Sequence, residues 1–303
     1  MVYTVTCNPA LDYVMNLPQL TVDDINRSER EYLTFGGKGI NVSAVLARLS
    51  VPTRALGFTA GFMGEKLKSL LTDEGVECDF VQLSAGETRI NVKIRAETEL
   101  HINAGGPSVG EADVERLLQK LEGVCAGDVL VLAGSVPSGL PQDLYVQMLR
   151  RLGGQDMLVA VDAEKDLLRE TLPYRPFLIK PNHHELGALF GKELYTTEEI
   201  AACARQLQVE GARNVLVSRA KDGALLLDET GVCHTIGTAP GALRSSVGCG
   251  DSMVAGFIAG WLQQKNYAFA LRLGAACGNA TAFSDALAAK AEIEAVLSHL
   301  INK

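Results

Sequence analysis

The sequence lacks the features that mark membrane, secreted and metal-binding proteins. No apolar run approaches the ~18 residues that a membrane-spanning helix needs. The chain opens into the apolar residues 2–6 without a basic and apolar leader. Its seven cysteines include no C-x-x-C pair, and their odd number argues against a disulfide framework or a zinc knuckle. We therefore expect a protein of the reducing cytoplasm, neither secreted nor inserted in a membrane.

Positive charge is also scarce. The formal net charge is −8, from 28 Lys and Arg against 36 Asp and Glu. Nucleic acid and anionic membranes require a basic surface, so we expect neither as the main partner, and any phosphate site must be local. With 303 residues, of which 47% are hydrophobic, the chain can bury a full core, and we expect a single domain over 1–303.

The two familiar nucleotide-binding motifs are missing as well. No G-x-x-x-x-G-K-[ST] sequence occurs, and Gly37-Lys38-Gly39 lacks the third glycine of the dinucleotide fingerprint. A P-loop kinase and a Rossmann dehydrogenase are therefore disfavoured.

What the chain does contain is an alternation of short apolar runs with amphipathic segments. The apolar runs cover 129–133, 158–162, 177–180 and 215–218, and the amphipathic segments include 143–152 and 196–210. This alternation predicts a parallel sheet between helical layers. Ligands of such a sheet bind beyond the carboxyl ends of its strands, where Gly134, Ser135, Asp162, Pro181, Asn182 and 219–223 follow.

Two stretches interrupt the alternation, at about 12–35 and 88–105. Within the second, residues 89–95 alternate with a period of two, as in a half-exposed strand. We therefore expect a small, discontinuous β excursion from the main body.

The most informative stretch is 244–261, a glycine-rich turn that leads into an apolar helix. Gly248 and Gly250 allow backbone N–H groups to approach a phosphate at the positive end of the helix dipole. Asp251 would be repelled by that phosphate unless its charge has a use, such as accepting a proton from an attacking hydroxyl. The other interpretation is that Asp251 only favours a helix N-terminus.

A second glycine-rich turn, 36–41, leads into the helical segment 42–49 and carries Lys38. Its lysine offers a point charge for a phosphate, although an ordinary tight turn would have the same composition.

Together the two turns resemble the two signatures of the PfkB (ribokinase-like) family of sugar kinases. Four further segments, 8–12, 133–139, 180–185 and 218–223, match the family in order and spacing. The resemblance spans the chain and implies an α/β fold, a three-layer αβα sandwich with a central, mostly parallel sheet and a small β-sheet lid. Residues 86–93 and 102–108 look most like the 1-phosphofructokinases, and next like the tagatose-6-phosphate kinases.

The resemblance implies an ATP-dependent kinase that converts fructose 1-phosphate to fructose 1,6-bisphosphate. Tagatose 6-phosphate and fructose 6-phosphate are alternative substrates, and a catalytically inactive sugar-phosphate sensor is an alternative of another class. Magnesium would accompany ATP, and a monovalent cation is compatible with the family. A homodimer through the lid would let Arg27 reach the neighbouring subunit's site.

The implied site residues form three groups. Asp251 would be the base, and Gly248, Cys249 and Gly250 would supply amides to the migrating phosphoryl group. The substrate would contact Asp12, Arg27, Gly37, Lys38, Asn41, Arg89 and Ser135, with Lys93 a further cation near the lid. ATP would contact Lys180, Asn182, Ser218, Arg219, Ala220, Lys221, Asp222, Gly223, Gly250 and Asn279, and Glu185 would hold magnesium through water.

Three positions depart from the family pattern. Ser246 and Cys249 stand where the family usually has Thr and Ala, and Ala220 stands where it usually has Gly. The Cβ of Ala220 would alter the nucleotide site if the position needs a positive φ. A thiol at a helix N-terminus can have a lowered pKa, although Cys249 can equally be a small buried residue in a turn.

Overall fold

The structure is a computed structural model that describes residues 1–137, 139–153 and 156–301. Its strands are β1 Val2–Thr6, β2 Ala10–Asn16, β3 Arg30–Gly36, β4 Thr53–Thr59, β5 Glu77–Cys78, β6 Val81–Gln82, β7 Arg89–Arg95, β8 Glu99–Ile102, β9 Val129–Ala133, β10 Leu158–Asp162, β11 Leu178–Ile179, β12 Asn214–Ser218, β13 Ala224–Leu227 and β14 Cys233–Ile236. Its α-helices are α1 Lys38–Arg48, α2 Gly61–Asp73, α3 Glu111–Leu121, α4 Leu144–Leu152, α5 Lys165–Arg169, α6 His183–Leu189, α7 Thr197–Glu210, α8 Cys249–Gln264, α9 Tyr267–Ala282 and α10 Lys290–Ile301.

The main sheet is parallel except at one edge. Its strand order is β14-β13-β12-β11-β10-β9-β1-β4-β5, with β6 paired to β4. The pairs β12–β13 and β13–β14 are antiparallel. The sheet is therefore mostly parallel, as expected, and at this edge a short hairpin replaces a helical crossover.

Helices cover both faces of the main sheet, as the alternation predicts. On β9, Leu130 and Leu132 pack in one apolar cluster with α3, α4 and α7. Val129 and Val131 pack in a second cluster with α1, α8, α9 and α10. A strand buried on both faces is apolar at every position, which is why 129–133 reads as a continuous run.

The β excursion is a separate four-stranded sheet in the order β3-β2-β7-β8. It begins with Ala10 and ends with Ile102, close to the predicted bounds. The strand β2 pairs in parallel with β7, so that Asp12 lies opposite Asn91. We refer to this sheet as the small sheet.

Helices α8 and α9 pack unusually close together because glycines face the contact. A Cβ at Gly256 would lie 2.6 Å from the carbonyl oxygen of Leu273, and one at Gly274 would lie 2.9 Å from that of Met253. The hydroxyls of Ser252 and Thr281 are 2.9 Å apart across the same contact. This packing anchors the first turn of α8, which carries Asp251.

Among the helices described, none combines the length and the apolar character that crossing a membrane would require.

Candidate active site

The site is built around the first turn of α8. Gly248 is the N-cap residue with φ +78°, a left-handed conformation that favours glycine. A Cβ there would lie 2.5 Å from Cδ2 of Leu287. The first N–H groups of a helix have no intrahelical acceptor, so those of Cys249, Gly250 and Asp251 are oriented to bind an anion.

Asp251 is buried in this turn, with 7% of its surface exposed. Its Oδ2 accepts a hydrogen bond of 2.7 Å from Nδ2 of Asn41. Burial and the nearby charge of Asp162 raise the pKa of Asp251 to about 6, against the opposing effects of Asn41, Lys38 and Lys180. A carboxyl group with this pKa is ionised at neutral pH and can still accept a proton.

Two lysines flank the anion-binding turn, and Asp162 holds both. Oδ1 of Asp162 lies 3.3 Å from Nζ of Lys38 and 3.4 Å from Nζ of Lys180. A Cβ at Gly250 would lie 3.1 Å from the same Nζ of Lys180, so that amine is directly beside the turn. Burial acts to lower the pKa of Lys38, but the carboxylates of Asp162, Asp251 and Glu185 outweigh it and raise that pKa. Both amines thus lie beside the anion-binding turn, held by the same carboxylate.

Lys38, predicted to contact the substrate, lies beside the anion-binding turn. Its Nζ pairs with Asp162 at 3.3 Å and Glu164 at 3.9 Å, and the charge of Asp251 adds to the rise in its pKa. Asn41, also predicted to contact the substrate, donates its amide N–H to Asp251. Sequence order could not reveal either pairing, since each joins segments more than a hundred residues apart.

Asp12 lies at the opposite end of the site, on β2. Oδ1 of Asp12 accepts a hydrogen bond of 2.9 Å from Nδ2 of Asn91, and its Oδ2 forms an ion pair with Lys93. A Cβ at Gly36 would lie 2.6 Å from both carboxylate oxygens, so only glycine leaves room there. Lys93 is therefore paired with Asp12 and largely covered, not the solvated surface charge that the sequence equally allowed.

Arg89, at the start of β7, shapes the entrance. Its guanidinium donates hydrogen bonds to the backbone oxygens of Asn8, at 2.8 and 3.1 Å, and Ala104, at 3.2 Å. The side chain of Asn8 donates to the backbone oxygen of Gly105 at 2.8 Å. Burial lowers the pKa of Arg89, opposed by the charge of Asp12. The strand register sets Arg89 opposite Ala10, two residues from Asp12 on β2.

Gly37, Ser135 and Arg27 occupy three different surroundings. Gly37 caps α1 with φ +119° and packs against Thr6. Ser135 is exposed after Gly134, where an added Cβ would lie 3.9 Å from Cβ of Lys38. Arg27 is exposed in the connection that follows the far end of β2, an end that lies four residues and about 13 Å along the strand from Asp12. Ser138, in the matching segment 133–139, lies outside the described residues.

Asn182 and Glu185 form a capping box at the start of α6. Oδ1 of Asn182 accepts hydrogen bonds from the N–H groups of His184 and Glu185, and Oε2 of Glu185 accepts one from the N–H of Asn182. One oxygen of Glu185 is thus occupied, and its charge still acts on Lys38. The capping box orients this carboxylate towards the lysine cluster.

The predicted nucleotide segment 218–223 is a 3₁₀ turn between β12 and β13. Ala220 has φ +49° and is exposed, so the departure from glycine falls at a position that does need a positive φ. Gly223 has φ +83°, and a Cβ there would overlap the carbonyl oxygen of Ile236. Arg219 donates to the hydroxyl of Thr197 at 3.1 Å. The exposed side chains of Lys221 and Asp222 border this turn.

Asn279 holds the loop before α8 rather than presenting a free amide. Its Oδ1 accepts from the N–H of Ala239 at 2.9 Å, and its Nδ2 donates to the carbonyl oxygen of Ala275 at 2.7 Å. The side chain is 7% exposed, and its contacts position the neighbouring backbone.

Cys249 is not an activated thiol. Burial, with the charge of Asp251 adding to it, raises the pKa of Cys249 to about 11. The favourable helix dipole is outweighed because the thiolate would sit in a poorly hydrated turn beside a carboxylate.

The sequence analysis gave no role to Asp162 or Asn91. Asp162 was named only among several positions at the carboxyl ends of strands, where ligands bind, and Asn91 only as part of an alternating strand. The available signal was position: a carboxylate at the carboxyl end of a buried parallel strand faces the ligand edge of the sheet.

The arrangement suits transfer of a phosphoryl group to a hydroxyl, because a buried carboxylate that can accept a proton lies beside the N–H groups of a helix start and the amines of two lysines. Comparison with known proteins agrees. A protein-family model described as "pfkB family carbohydrate kinase" matches residues 5–293. The chain belongs to this family.

Individual relatives fit the same family. The chain is 42% identical to a 1-phosphofructokinase of Bacillus subtilis, over 98% of this chain and 97% of that one. It is 35% identical to a D-tagatose-1-phosphate kinase of Bacillus licheniformis, over 99% and 98%. Its structure matches phosphofructokinase-2 of Escherichia coli, solved with substrates and products, with a TM-score of 0.94 at 28% identity over 99% of each chain. The same Escherichia coli protein has been solved with potassium and in a tetrameric inhibited form.

Proposed function

We propose that the chain transfers the γ-phosphoryl group of ATP to the 6-hydroxyl of fructose 1-phosphate, giving fructose 1,6-bisphosphate and ADP. The observation that carries this proposal is the 42% identity with a 1-phosphofructokinase over nearly the whole of both chains. The site supports it because the base and the anion-binding turn are both intact. An inactive sugar-phosphate sensor would have been free to lose them.

The base is Asp251. Its carboxylate accepts the proton of the 6-hydroxyl as the hydroxyl oxygen bonds to the γ-phosphorus and the bond to the β–γ bridging oxygen breaks. Asn41 holds one carboxylate oxygen at 2.7 Å and leaves the other free to face the hydroxyl. The pKa of about 6 keeps this group ionised before the reaction at neutral pH.

The first turn of α8 and two lysines bind the migrating group. The N–H groups of Cys249, Gly250 and Asp251 donate to its oxygens, and Lys180 approaches from beside Gly250. We place Lys38 here as well, because its Nζ pairs with Asp162 and acts on Asp251. Asp162 would keep both amines apart and aligned when no phosphate is bound.

The substrate's 1-phosphate lies at the other end of the sugar. Lys93 pairs with the carboxylate of Asp12. Arg89 donates only to the backbone oxygens of Asn8 and Ala104 in the described part of the chain, so its charge is not neutralised by a carboxylate and can act on the phosphate. Arg27 of the partner subunit would complete the phosphate site. The small sheet carries Asp12 and Arg89, so its closure would bring the sugar to Asp251 and exclude water.

Magnesium would depend mainly on ATP phosphates and water. Among the described residues no group of three metal-ligating side chains forms a cage. Asp162 nevertheless has a buried Oδ2 that lacks a hydrogen-bond partner in the described part of the chain. The charge of Glu185 acts on Lys38, which pairs with Asp162, so these carboxylates fit a hard cation held largely through water. When bound, magnesium would neutralise phosphate charge. The nucleotide itself would lie along 218–223.

A tagatose phosphate is the second candidate substrate. The relative at 35% identity is a D-tagatose-1-phosphate kinase. D-Tagatose differs from D-fructose only in configuration at carbon 4, so both 1-phosphates would present the same 6-hydroxyl to Asp251. The 6-phosphates of fructose and tagatose would instead require the phosphate site at the opposite end of the sugar.

A substrate panel tests the proposed function. ADP release from Mg-ATP would be measured with fructose 1-phosphate, tagatose 1-phosphate, fructose 6-phosphate, tagatose 6-phosphate and fructose, and kcat/KM compared. We expect the highest value for fructose 1-phosphate. A preference for either 6-phosphate would overturn the assigned substrate, and binding without turnover of any of them would support a sensor.

We also propose a homodimer formed through the small sheet. Strand register places apolar residues on the face opposite Asp12: Tyr13, Leu33, Val92, Ile94, Leu100 and Ile102. Leu100 and Ile102 are exposed. A sheet face of this composition suits burial against a second copy. The same contact would bring the exposed Arg27 connection to the neighbouring site.

Two further expectations accompany the proposal. The seven cysteines, all within the described residues, are unpaired, which supports a reducing compartment such as the cytoplasm. A monovalent cation is supported only by the potassium complex of the Escherichia coli relative. Assays with potassium replaced by tetramethylammonium test that requirement.

A further inference from the structure

Strand β7 presents three polar residues to the substrate side of the small sheet. Arg89, Asn91 and Lys93 alternate with Ile90 and Val92, so the polar side chains share one face. The parallel pairing with β2 sets Asn91 opposite Asp12 on that face.

The orientation of the Asn91 amide follows from chemistry. Asp12 Oδ1 lies 2.9 Å from the amide nitrogen, and an ionised carboxylate can only accept hydrogen bonds. The amide must therefore turn its NH₂ group to Asp12, which leaves its Oδ1 elsewhere. Oδ1 of Asn91 is buried and has no hydrogen-bond partner within the described part of the chain. The residue as a whole is only 7% exposed. A buried unpaired acceptor is destabilising unless a ligand or water satisfies it.

The unpaired oxygen belongs to the region around the proposed sugar site. Asp12 touches the turn at Gly36, where even a Cβ would come within 2.6 Å of its carboxylate. One helical turn further, Asn41 binds Asp251. The segment 36–41 thus connects the Asp12–Asn91 pair, through Gly36, with the proposed base Asp251, through Asn41.

We propose that Asn91 contacts the substrate, accepting through Oδ1 a hydrogen bond from a secondary hydroxyl of the sugar. The inference rests on the proposed function and deepens it. Asp12 and Asn91 offer two neighbouring acceptors, which suit two neighbouring hydroxyls that each donate one hydrogen bond. In the furanose form of fructose 1-phosphate these are the hydroxyls at carbons 3 and 4. A phosphate group would be repelled by both acceptors. The pair therefore suits the hydroxyls of the sugar and not its 1-phosphate.

The assignment would make Asn91 a determinant of specificity. A site built to bond a hydroxyl rejects an analogue that lacks it, because the protein acceptor is then left buried and unpaired. Carbon 4 is also the position at which fructose and tagatose differ, so this contact can contribute to the choice between the two 1-phosphates.

The test combines substrate analogues with two variants. Fructose 1-phosphate and its 3-deoxy and 4-deoxy analogues would be assayed with the unmodified protein, Asn91→Leu and Asn16→Leu. Asn16 is a matched control because it also has a buried Oδ1 without a partner in the described part of the chain, but it lies at the far end of β2 from Asp12.

We expect the unmodified protein to prefer fructose 1-phosphate over at least one deoxy analogue by about tenfold or more in kcat/KM. Asn91→Leu should reduce that preference to within about threefold, whereas Asn16→Leu should keep it. Loss of the preference in the variant, with thermal unfolding still cooperative, would support the contact.

Two results would overturn the inference while leaving the proposed function intact. One is an unmodified protein that uses fructose 1-phosphate and both analogues equally, a result that does not depend on any variant folding. The other is an Asn91→Leu variant that keeps the full preference. Absence of turnover of every ketohexose monophosphate by the unmodified protein would overturn the proposed function itself.

Discussion

Asp251 combines two demands that conflict at the level of a single residue. As the proposed base it would have to remain ionised beside bound phosphates, yet burial and Asp162 favour its protonated form. The hydrogen bond from Asn41 and the charges of Lys38 and Lys180 offset part of that effect. The balance leaves a pKa near neutrality, which suits a group that must take up a proton during the reaction and release it afterwards.

Replacing the base should separate chemistry from binding. We expect Asp251→Ala to lower kcat by at least ~10²-fold while leaving the Kd for the sugar phosphate nearly unchanged, because only proton transfer is lost. Stopped-flow turnover and isothermal calorimetry measure the two quantities. Turnover within a few-fold of the unmodified protein would exclude Asp251 as the base.

The pH dependence should report the same carboxyl group. Because the raised pKa of Asp251 is about 6, the ionised fraction and kcat/KM should fall as the pH drops through 6 and below. Asn41→Leu removes a hydrogen bond that lowers this pKa, so the acid limb should move to higher pH.

The substrate phosphate also ionises in this pH range, but it contributes the same limb to both proteins. The difference between their profiles therefore reports Asp251. Identical profiles for the two proteins would contradict the predicted coupling of Asn41 to the base.

Ala220 is a strained residue whose replacement should stabilise the fold. Its φ of +49° is unfavourable for a residue with a Cβ, so we expect Ala220→Gly to raise the free energy of unfolding by about 0.5–1 kcal/mol and Tm by ~2 °C. Ala202 is the matched control, since it is exposed within α7. There the same change should lower stability by about 1 kcal/mol. If calorimetric scans show that Ala→Gly shifts Tm in the same direction at positions 220 and 202, the strain assigned to Ala220 is contradicted.

At the level of elements, the site depends on where α8 begins. The glycine contacts with α9 fix the helix laterally, and Gly248 fixes its first turn in a left-handed conformation beside Leu287. The small sheet is fixed differently, through the pairing of β2 with β7 that sets Asp12 opposite Asn91. The reaction requires both elements at once, and they lie far apart in the sequence.

Gly248→Ala should therefore damage the anion-binding turn. The added Cβ meets Leu287 at 2.5 Å and makes the φ of +78° unfavourable, so we expect a loss of about 1–2 kcal/mol in stability and a kcat reduced by tenfold or more. Gly123→Ala is the control, because its nearest neighbour would be at 3.5 Å and its φ is not positive. Equal kcat values for the two variants would show that the turn does not need glycine.

At the level of the whole molecule, the question is whether one chain completes its own site. Arg27 is exposed in the connection that follows β2. The face of the small sheet opposite Asp12 is rich in apolar residues. Both features are explained if two copies pack through their small sheets and exchange Arg27.

Mixing two inactive variants tests this exchange. If Arg27 acts across the interface, a dimer of Asp251→Ala with Arg27→Ala has one complete site. Random pairing should then restore about a quarter of the unmodified activity, since half of the dimers are mixed and each has one working site of two. If Arg27 acts within its own chain, the mixture should stay inactive. Ultracentrifugation of Ile102→Lys, compared with the unmodified protein, checks the interface itself.

The sequence by itself determined the layered fold and the location of the anion-binding turn. Apolar runs buried on both faces predict parallel strands at any position in a chain, and the glycines of 248–250 allow only a few backbone geometries. Both signals are local. The short β5 and β6 and the antiparallel β13–β14 edge had no equally clear signal, because their patterns are too brief.

Only the tertiary structure decided which polar groups meet. Asn41 and Asp251 are 210 positions apart, yet they share a hydrogen bond, and Asp162 joins lysines from two other segments. The pairing of β7 with β2 is what sets Asn91 opposite Asp12. Contacts of this kind arise because packing brings strand ends and helix starts to one edge of the sheet, and the energies that couple them depend on burial that no single segment possesses.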